Sequence, residues 1–92
     1  MIKSFRHKSL QRLYERADRK GLSADMVLKI ERIIARLDIA TSPDMMSLPG
    51  LKLHPLKGPL KGFWSVYVTG NWRIIFRFEG IYVFDVDLVD YH

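Results

Sequence analysis

The sequence predicts an α+β domain: a short N-terminal strand, two antiparallel helices, and an antiparallel sheet of three to five strands on which the helices pack. Three observations carry this reading. Apolar residues recur at helical spacing between residues 8 and 37, the spacing drops to two between residues 63 and 88, and Gly70-Asn71 sits between two alternating runs as a hairpin signal.

Taken in order, Ile2 to Phe5 alternates and reads as the first strand. From Lys8 to Lys20 the residues Leu10, Leu13, Tyr14 and Ala17 share one helical face, and Gly21 is placed to stop that helix. Ser23 is a candidate N-cap for a second helix, with Asp25 in its first turn and Met26, Val27, Ile30, Ile33, Ile34 and Leu37 as its apolar stripe. Thr41 to Gly50 holds Pro43, Pro49 and Gly50 and reads as a loop, including a Met45-Met46 pair. Leu51 to His54 alternates, and Pro55 restricts it to an edge or an end. Lys57 to Gly62 is a basic, turn-rich loop; Phe63 to Thr69 and Trp72 to Phe78 are strands, and Glu79-Gly80 turns the chain into a last strand from Ile81 to Leu88.

A chain of 92 residues is expected to make a single domain, 1–92, with little room for a second core. It has no cysteine, so disulfides and thiolate metal sites are excluded. No stretch approaches the roughly 20 apolar residues of a membrane span, and none has the shape of a signal peptide. A soluble cytoplasmic protein without membrane contact is expected. The net charge of +5 and an isoelectric point near 9.7 favour a polyanionic partner. Between Asp44 and Glu79 there is no acidic residue, while Lys52, Lys57, Lys61, Arg73 and Arg77 all lie there, a candidate phosphate-binding surface.

Alternation places Trp72, Ile74, Phe76 and Phe78 on the strand face that meets the helices, with Trp64, Val66 and Val68 beside them. Arg73, Ile75 and Arg77 take the other face. RNA carries its own nucleophile, so its cleavage needs only a base for the 2′-hydroxyl, cations for the phosphorane and an acid for the leaving 5′-oxygen. Two regions offer such groups. In Lys52-Leu53-His54-Pro55-Leu56-Lys57, alternation puts Lys52 and His54 on one side with Lys57 just beyond. In Asp90-Tyr91-His92, the carboxylates near His92 favour its imidazolium form, and Asp90 can orient the ring. Each group also has an ordinary reading, as solvated surface charge or a frayed tail, and His7 has no other.

Leu53-His54-Pro55-Leu56-Lys57-Gly58, Gly62-Phe63-Trp64-Ser65-Val66, Asn71-Trp72-Arg73-Ile74 and Asp90-Tyr91-His92, together with the opening Met1 to Phe5, resemble the HigB toxins of the RelE/ParE-like superfamily over essentially the whole chain. The resemblance implies a RelE-like fold and a type II toxin-antitoxin toxin. Such a toxin is a ribosome-dependent, metal-independent mRNA interferase that cuts mRNA in the A site and inhibits translation, with no cofactor. The implied partners are a helix-turn-helix antitoxin of the HigA type, the ribosome and mRNA, with operator DNA reached only through the antitoxin.

Matched residue by residue, the resemblance makes His54, Lys57, Arg73, Asp90, Tyr91 and His92 catalytic, with Asn71 at the site's edge; Lys52, Lys61 and Arg77 join Asn71 as substrate-binding residues. His92 held by Asp90 and His54 are the acid and base, in either order, Lys57 and Arg73 stabilise the phosphorane, and Tyr91 stacks on a base or joins the proton relay. The competing readings are a non-catalytic toxin of the same fold, such as a ParE-type gyrase inhibitor, and a basic RNA-binding domain. The Pro59-Leu60 content of the basic loop and the Met45-Met46 pair depart from the family pattern and bear on substrate preference.

Overall fold

Two helices lie on one face of a four-stranded antiparallel sheet, and the computed structural model describes residues 1–91 of this arrangement. Helix α1 spans Lys8–Arg16 and α2 Val27–Ile39; strands β1 (His54–Pro55), β2 (Phe63–Thr69), β3 (Trp72–Glu79) and β4 (Tyr82–Asp90) follow, in sheet order β1-β2-β3-β4. Short 3₁₀ turns at Pro43–Met46 and Gly58–Leu60 punctuate the loops. No helix among the described residues is long and apolar enough to cross a membrane.

The predicted stripes form the core. Leu10 and Leu13 of α1, Ile30, Ile33, Ile34 and Leu37 of α2, and Val66, Val68, Ile74 and Phe76 of the sheet are buried together, with Trp64, Trp72 and Phe78 packed against them. The other sheet face carries a smaller cluster, in which Leu56 and Leu60 of the β1–β2 loop cover Phe63, Ile75 and Val89. That cluster lays the basic loop over the sheet.

Boundaries differ from the sequence reading where local hydrogen bonds compete with regular structure. Helix α1 ends at Arg16, not Lys20, because Ala17 turns left-handed at φ 54° and its amide bonds back to Arg12 and Leu13. The Asp18 carboxylate then accepts from the Lys20 amide at 2.9 Å, offering the backbone an alternative to another helical turn. Gly21 serves close approach instead of a helix stop: a Cβ there would lie 2.4 Å from the Ser9 hydroxyl, and its φ of +80° suits glycine. Ser23 does not cap α2 with its side chain, which turns to Asp25; its carbonyl accepts from the Met26 and Val27 amides at 3.0 Å each. The histidine with only an ordinary reading, His7, is the N-cap of α1, accepting from the Leu10 amide at 3.4 Å.

The N-terminal strand is present only as two parallel bridges to β4, Ile2 to Val83 and Phe5 to Val86. A bulge at Asp85, whose φ is 57°, shifts the β3–β4 register and interrupts that ladder. The second hairpin turns at Gly80-Ile81, one residue later than Glu79-Gly80, and β4 continues past Leu88 to Asp90. The strand read from Leu51 to His54 shrinks to His54–Pro55, because Lys52 is left-handed at φ 51°. Extended alternation therefore fails there, and with it the basis for placing Lys52 and His54 side by side.

The N-terminal segment is latched from below. The Tyr14 hydroxyl donates to the Asp38 carboxylate at 2.7 Å, the same oxygen accepts from the Ile2 amide at 3.1 Å, and the Tyr14 ring meets Phe5 at 5.3 Å between centroids. Burial pulls the Asp38 carboxyl upward, but the bonds from Tyr14 and Ile2 and the N-terminal ammonium outweigh it and leave it below its usual value. The bond to Asp38, with burial, pushes Tyr14 up to about 12. A depressed carboxyl stabilises the fold above its unfolded value of 3.8 and loses that contribution as pH falls through its lower folded value. A raised phenol stabilises it below 10.0 and loses that contribution as pH climbs to about 12. Tyr14→Phe is accordingly expected to lower stability by about 1 kcal/mol at neutral pH and to flatten the alkaline loss. Urea titrations across pH measure this; an unchanged alkaline limb would refute the latch.

Candidate active site

The β2–β3 hairpin builds one end of the sheet. Gly70 takes φ 53° in its turn, a bulge between Tyr67 and Thr69 shifts the register so that Tyr67 of β2 faces Arg73 of β3, and Arg73 faces Val89 of β4. Trp72 pairs with Asp90, and the Tyr91 amide donates to the Asn71 carbonyl at 2.7 Å. Asn71, Arg73, Asp90 and Tyr91 are thereby brought together where β3 begins and β4 ends. The backbone through Tyr91 is tied to the hairpin, against the frayed-tail reading for that residue. Alternation puts Asp90 with Trp72 on the face opposite Arg73, so its carboxylate reaches the other face only around the end of the sheet. His92, named with Asp90 and Tyr91 from the sequence, lies outside the described residues.

Arg73 is held for binding an anion. Its Nη1 donates to the Gly70 and Trp72 carbonyls, both at 3.0 Å, and its guanidinium stacks 4.6 Å from the Tyr67 ring centroid. One edge of the fork is thus committed to backbone, and no carboxylate pairs with it among the described residues. The remaining donors suit two oxygens of a phosphate.

His54 reaches the same face by register, since it opposes Ser65, which opposes Ile75. Its Nδ1 lies 3.1 Å from the Lys52 carbonyl. With the proton on Nδ1 donated to that carbonyl, Nε2 is left as the acceptor, the form a general base requires. The ring is exposed and stands two strands across and two residues along from Arg73, about 12 Å at the backbone. Lys57 and Lys61 are exposed at either end of the Gly58–Leu60 turn, in the loop that Leu56 and Leu60 pin onto Ile75 and Val89.

Two substrate-binding residues named from the sequence stand differently. The Lys52 Nζ lies 5.0 Å from the centroid of the Tyr67 ring, on the sheet face that also carries His54 and Arg73. Arg77 lies four residues along β3 from Arg73, about 13 Å away, and its guanidinium is bound by Asp85 at 2.7 Å and by Glu79. Those two carboxylates hold it even more firmly protonated than usual. Its charge is balanced inside the hairpin, which removes the ground for reading it as a phosphate contact. Tyr67, the ring that gathers the cations, is absent from the sequence reading: counting back from Gly70-Asn71 puts Val68 opposite Arg73, and only the bulge between Tyr67 and Thr69 brings Tyr67 there. Among the described residues, no three His, Cys, Asp or Glu side chains gather to hold a metal ion.

A family described as the RelE-like toxin of type II toxin-antitoxin system HigB matches residues 3–92. A protein of Proteus vulgaris named endoribonuclease HigB is 40% identical over 92 residues, the full length of both chains. Among solved structures, a YoeB/ParE toxin from Agrobacterium tumefaciens superposes with a TM-score of 0.62 at 23% identity, over 99% of this chain and 96% of that one. A mutant of YafQ from E. coli superposes with a TM-score of 0.56 at 17% identity, over 98% and 91%. These structural likenesses extend to the helix-on-sheet architecture, and the sequence match runs through the hairpin and the chain's last residues. The chain belongs to the HigB-like toxins, the RelE-like toxins of type II toxin-antitoxin systems.

Proposed function

We propose that the chain is an endoribonuclease that enters the ribosomal A site and cuts the mRNA there, stopping translation and growth. The observation that carries this is the partly committed guanidinium of Arg73, held by two carbonyls and a ring at the sheet's end where Asn71, Asp90 and Tyr91 meet. In the reaction a base takes the 2′-hydroxyl proton and the 2′-oxygen attacks the adjacent phosphorus. The bond to the 5′-oxygen breaks and an acid protonates that oxygen, leaving a 2′,3′-cyclic phosphate and a 5′-hydroxyl. His54 and His92 share the two proton transfers, Asp90 orients His92 from the rim, and Tyr91 stacks on the splayed base or joins the relay. Lys57 and Arg73 meet the charge that develops on the phosphorane, so the reading calls for no metal. Lys61 and Asn71 border the strand's path.

A type II toxin works against an antitoxin, here a helix-turn-helix protein of the HigA type through which operator DNA is reached. Induction in cells is expected to arrest growth and to create new mRNA 5′ ends inside translated frames, read by end mapping. Purified toxin is expected to leave ribosome-free RNA nearly intact. Growth arrest accompanied by a DNA-damage response and uncut message would replace this reading with the gyrase-inhibiting one.

A further inference from the structure

Three cations crowd one tyrosine. The Nζ of Lys29, from α2, lies 4.6 Å from the Tyr67 ring centroid, the Nζ of Lys52 5.0 Å, and the Arg73 guanidinium carbon 4.6 Å. The ring is itself fixed, because its hydroxyl accepts from the Gly70 amide at 3.0 Å. None of the three cations pairs with a carboxylate among the described residues, whereas Arg19 and Arg77 do.

Each of these choices is unfavourable for the folded chain alone. The cations repel one another across a single ring, and the π-face offsets that only in part. Lys52 holds a left-handed backbone, φ 51°, that side chains other than glycine rarely adopt, and such strain gathers at functional sites. Lys29 stands in the first turn of α2, a turn that holds no acidic residue and has no side-chain cap, so its charge adds to the positive end of the helix dipole. Lys29 also opens a shallow pocket of about 270 Å³ rimmed by Arg32 and Arg36, which continues the positive field along α2. An anion seated by Tyr67 relieves the repulsion and the dipole mismatch together.

We infer that Lys29 and Lys52, gathered on Tyr67, form a second phosphate subsite that grips the substrate RNA backbone next to the phosphodiester held by Arg73. The inference rests on the endoribonuclease reading above. Register gives the direction: Val89 pairs with Arg73 on the β4 side, just before Asp90 and Tyr91 at the strand's end, and Tyr67, which carries Lys52 and Lys29 on its ring, pairs with it on the β2 side, one strand spacing of about 4.8 Å away. The strand therefore crosses the sheet's end from β4 toward the edge of β2 and the start of α2. Lys29 is a binding residue in this scheme, remote from the proton transfers.

The test measures binding of the full-length protein to a short single-stranded RNA whose 2′-hydroxyls are methylated, so that it cannot be cut. Lys29→Glu and Lys52→Ala are expected to weaken binding about five- to tenfold at low salt and to lower the slope of log affinity against log salt by about 0.7 per contact removed. Lys29→Arg is expected to restore both, and Lys20→Glu, the same charge change on an exposed loop lysine, to leave the slope unaltered. A slope unmoved by Lys29→Glu, or moved equally by Lys20→Glu, overturns the subsite. Weakening seen only when the variants are sedimented with ribosomes assigns the phosphate to ribosomal RNA and also overturns it. Cleavage by the unaltered protein in a translation reaction is scored separately, so loss of the endoribonuclease reading leaves the binding comparison decisive. Where cleavage occurs, Lys29→Glu is expected to raise KM and leave kcat unchanged.

Discussion

Deleting His92 is expected to lower mRNA cleavage in a translation reaction by about 10²–10⁴-fold, the usual contribution of a positioned proton-transfer group. The deletion is sharp because it should not disturb the fold. The last described backbone bond, from the Tyr91 amide to the Asn71 carbonyl, and the pairing of Asp90 with Trp72 both precede the deleted residue. The thermal midpoint should stay within a degree or two while toxicity disappears, and a tag fused after His92 should act in the same direction. Full toxicity after deletion would remove the terminal imidazole from the mechanism and leave His54 to find another partner.

Arg73→Ala is expected to reduce cleavage by about 10²–10³-fold, as when a fixed donor to a developing oxyanion is lost. The argument lies in how the side chain is spent. Nη1 is bonded to the Gly70 and Trp72 carbonyls and the guanidinium plane rests on Tyr67, so the fork is oriented before any substrate arrives. Arg73→Lys keeps the charge but loses the planar fork, and should retain affinity while losing most of kcat. Single-turnover rates on stalled ribosomes separate the two quantities. Equal rates for the lysine variant would mean that Arg73 supplies only a field. Arg77→Ala is the internal contrast: its guanidinium is bound to Asp85 and Glu79, so the variant should lose hairpin stability more than cleavage.

Much of this was legible in the chain, and the reasons are local. Helical spacing in Ile30, Ile33, Ile34 and Leu37, and alternation through Trp72, Ile74, Phe76 and Phe78, are properties of short segments, and each stripe must be buried somewhere. Gly70-Asn71 announces a hairpin because glycine alone enters its turn without strain. Boundaries were less legible, since Asp18 and Ser23 settle them through side-chain and carbonyl bonds that periodicity does not contain. The last strand was read two residues short, because charged Asp90 breaks the apolar pattern although its backbone still pairs with Trp72.

The site divides in the same way. Its residue types, and the likeness of His54, Lys57, Arg73 and the terminal Asp-Tyr-His to a toxin family, are visible in the linear order, because chemistry travels with residue identity. Which cations remain available for an anion is not visible there. Arg73 and Arg77 occupy equivalent positions on one face of one strand, yet the Asp85 bulge brings a carboxylate to Arg77 while the hairpin gives Arg73 only carbonyls and a ring. Lys29, distant in the chain, reaches Tyr67 from a helix. Periodicity tells which way a side chain points along its own element; the charge it meets depends on what other elements bring to it, and that is settled only when helices and strands pack.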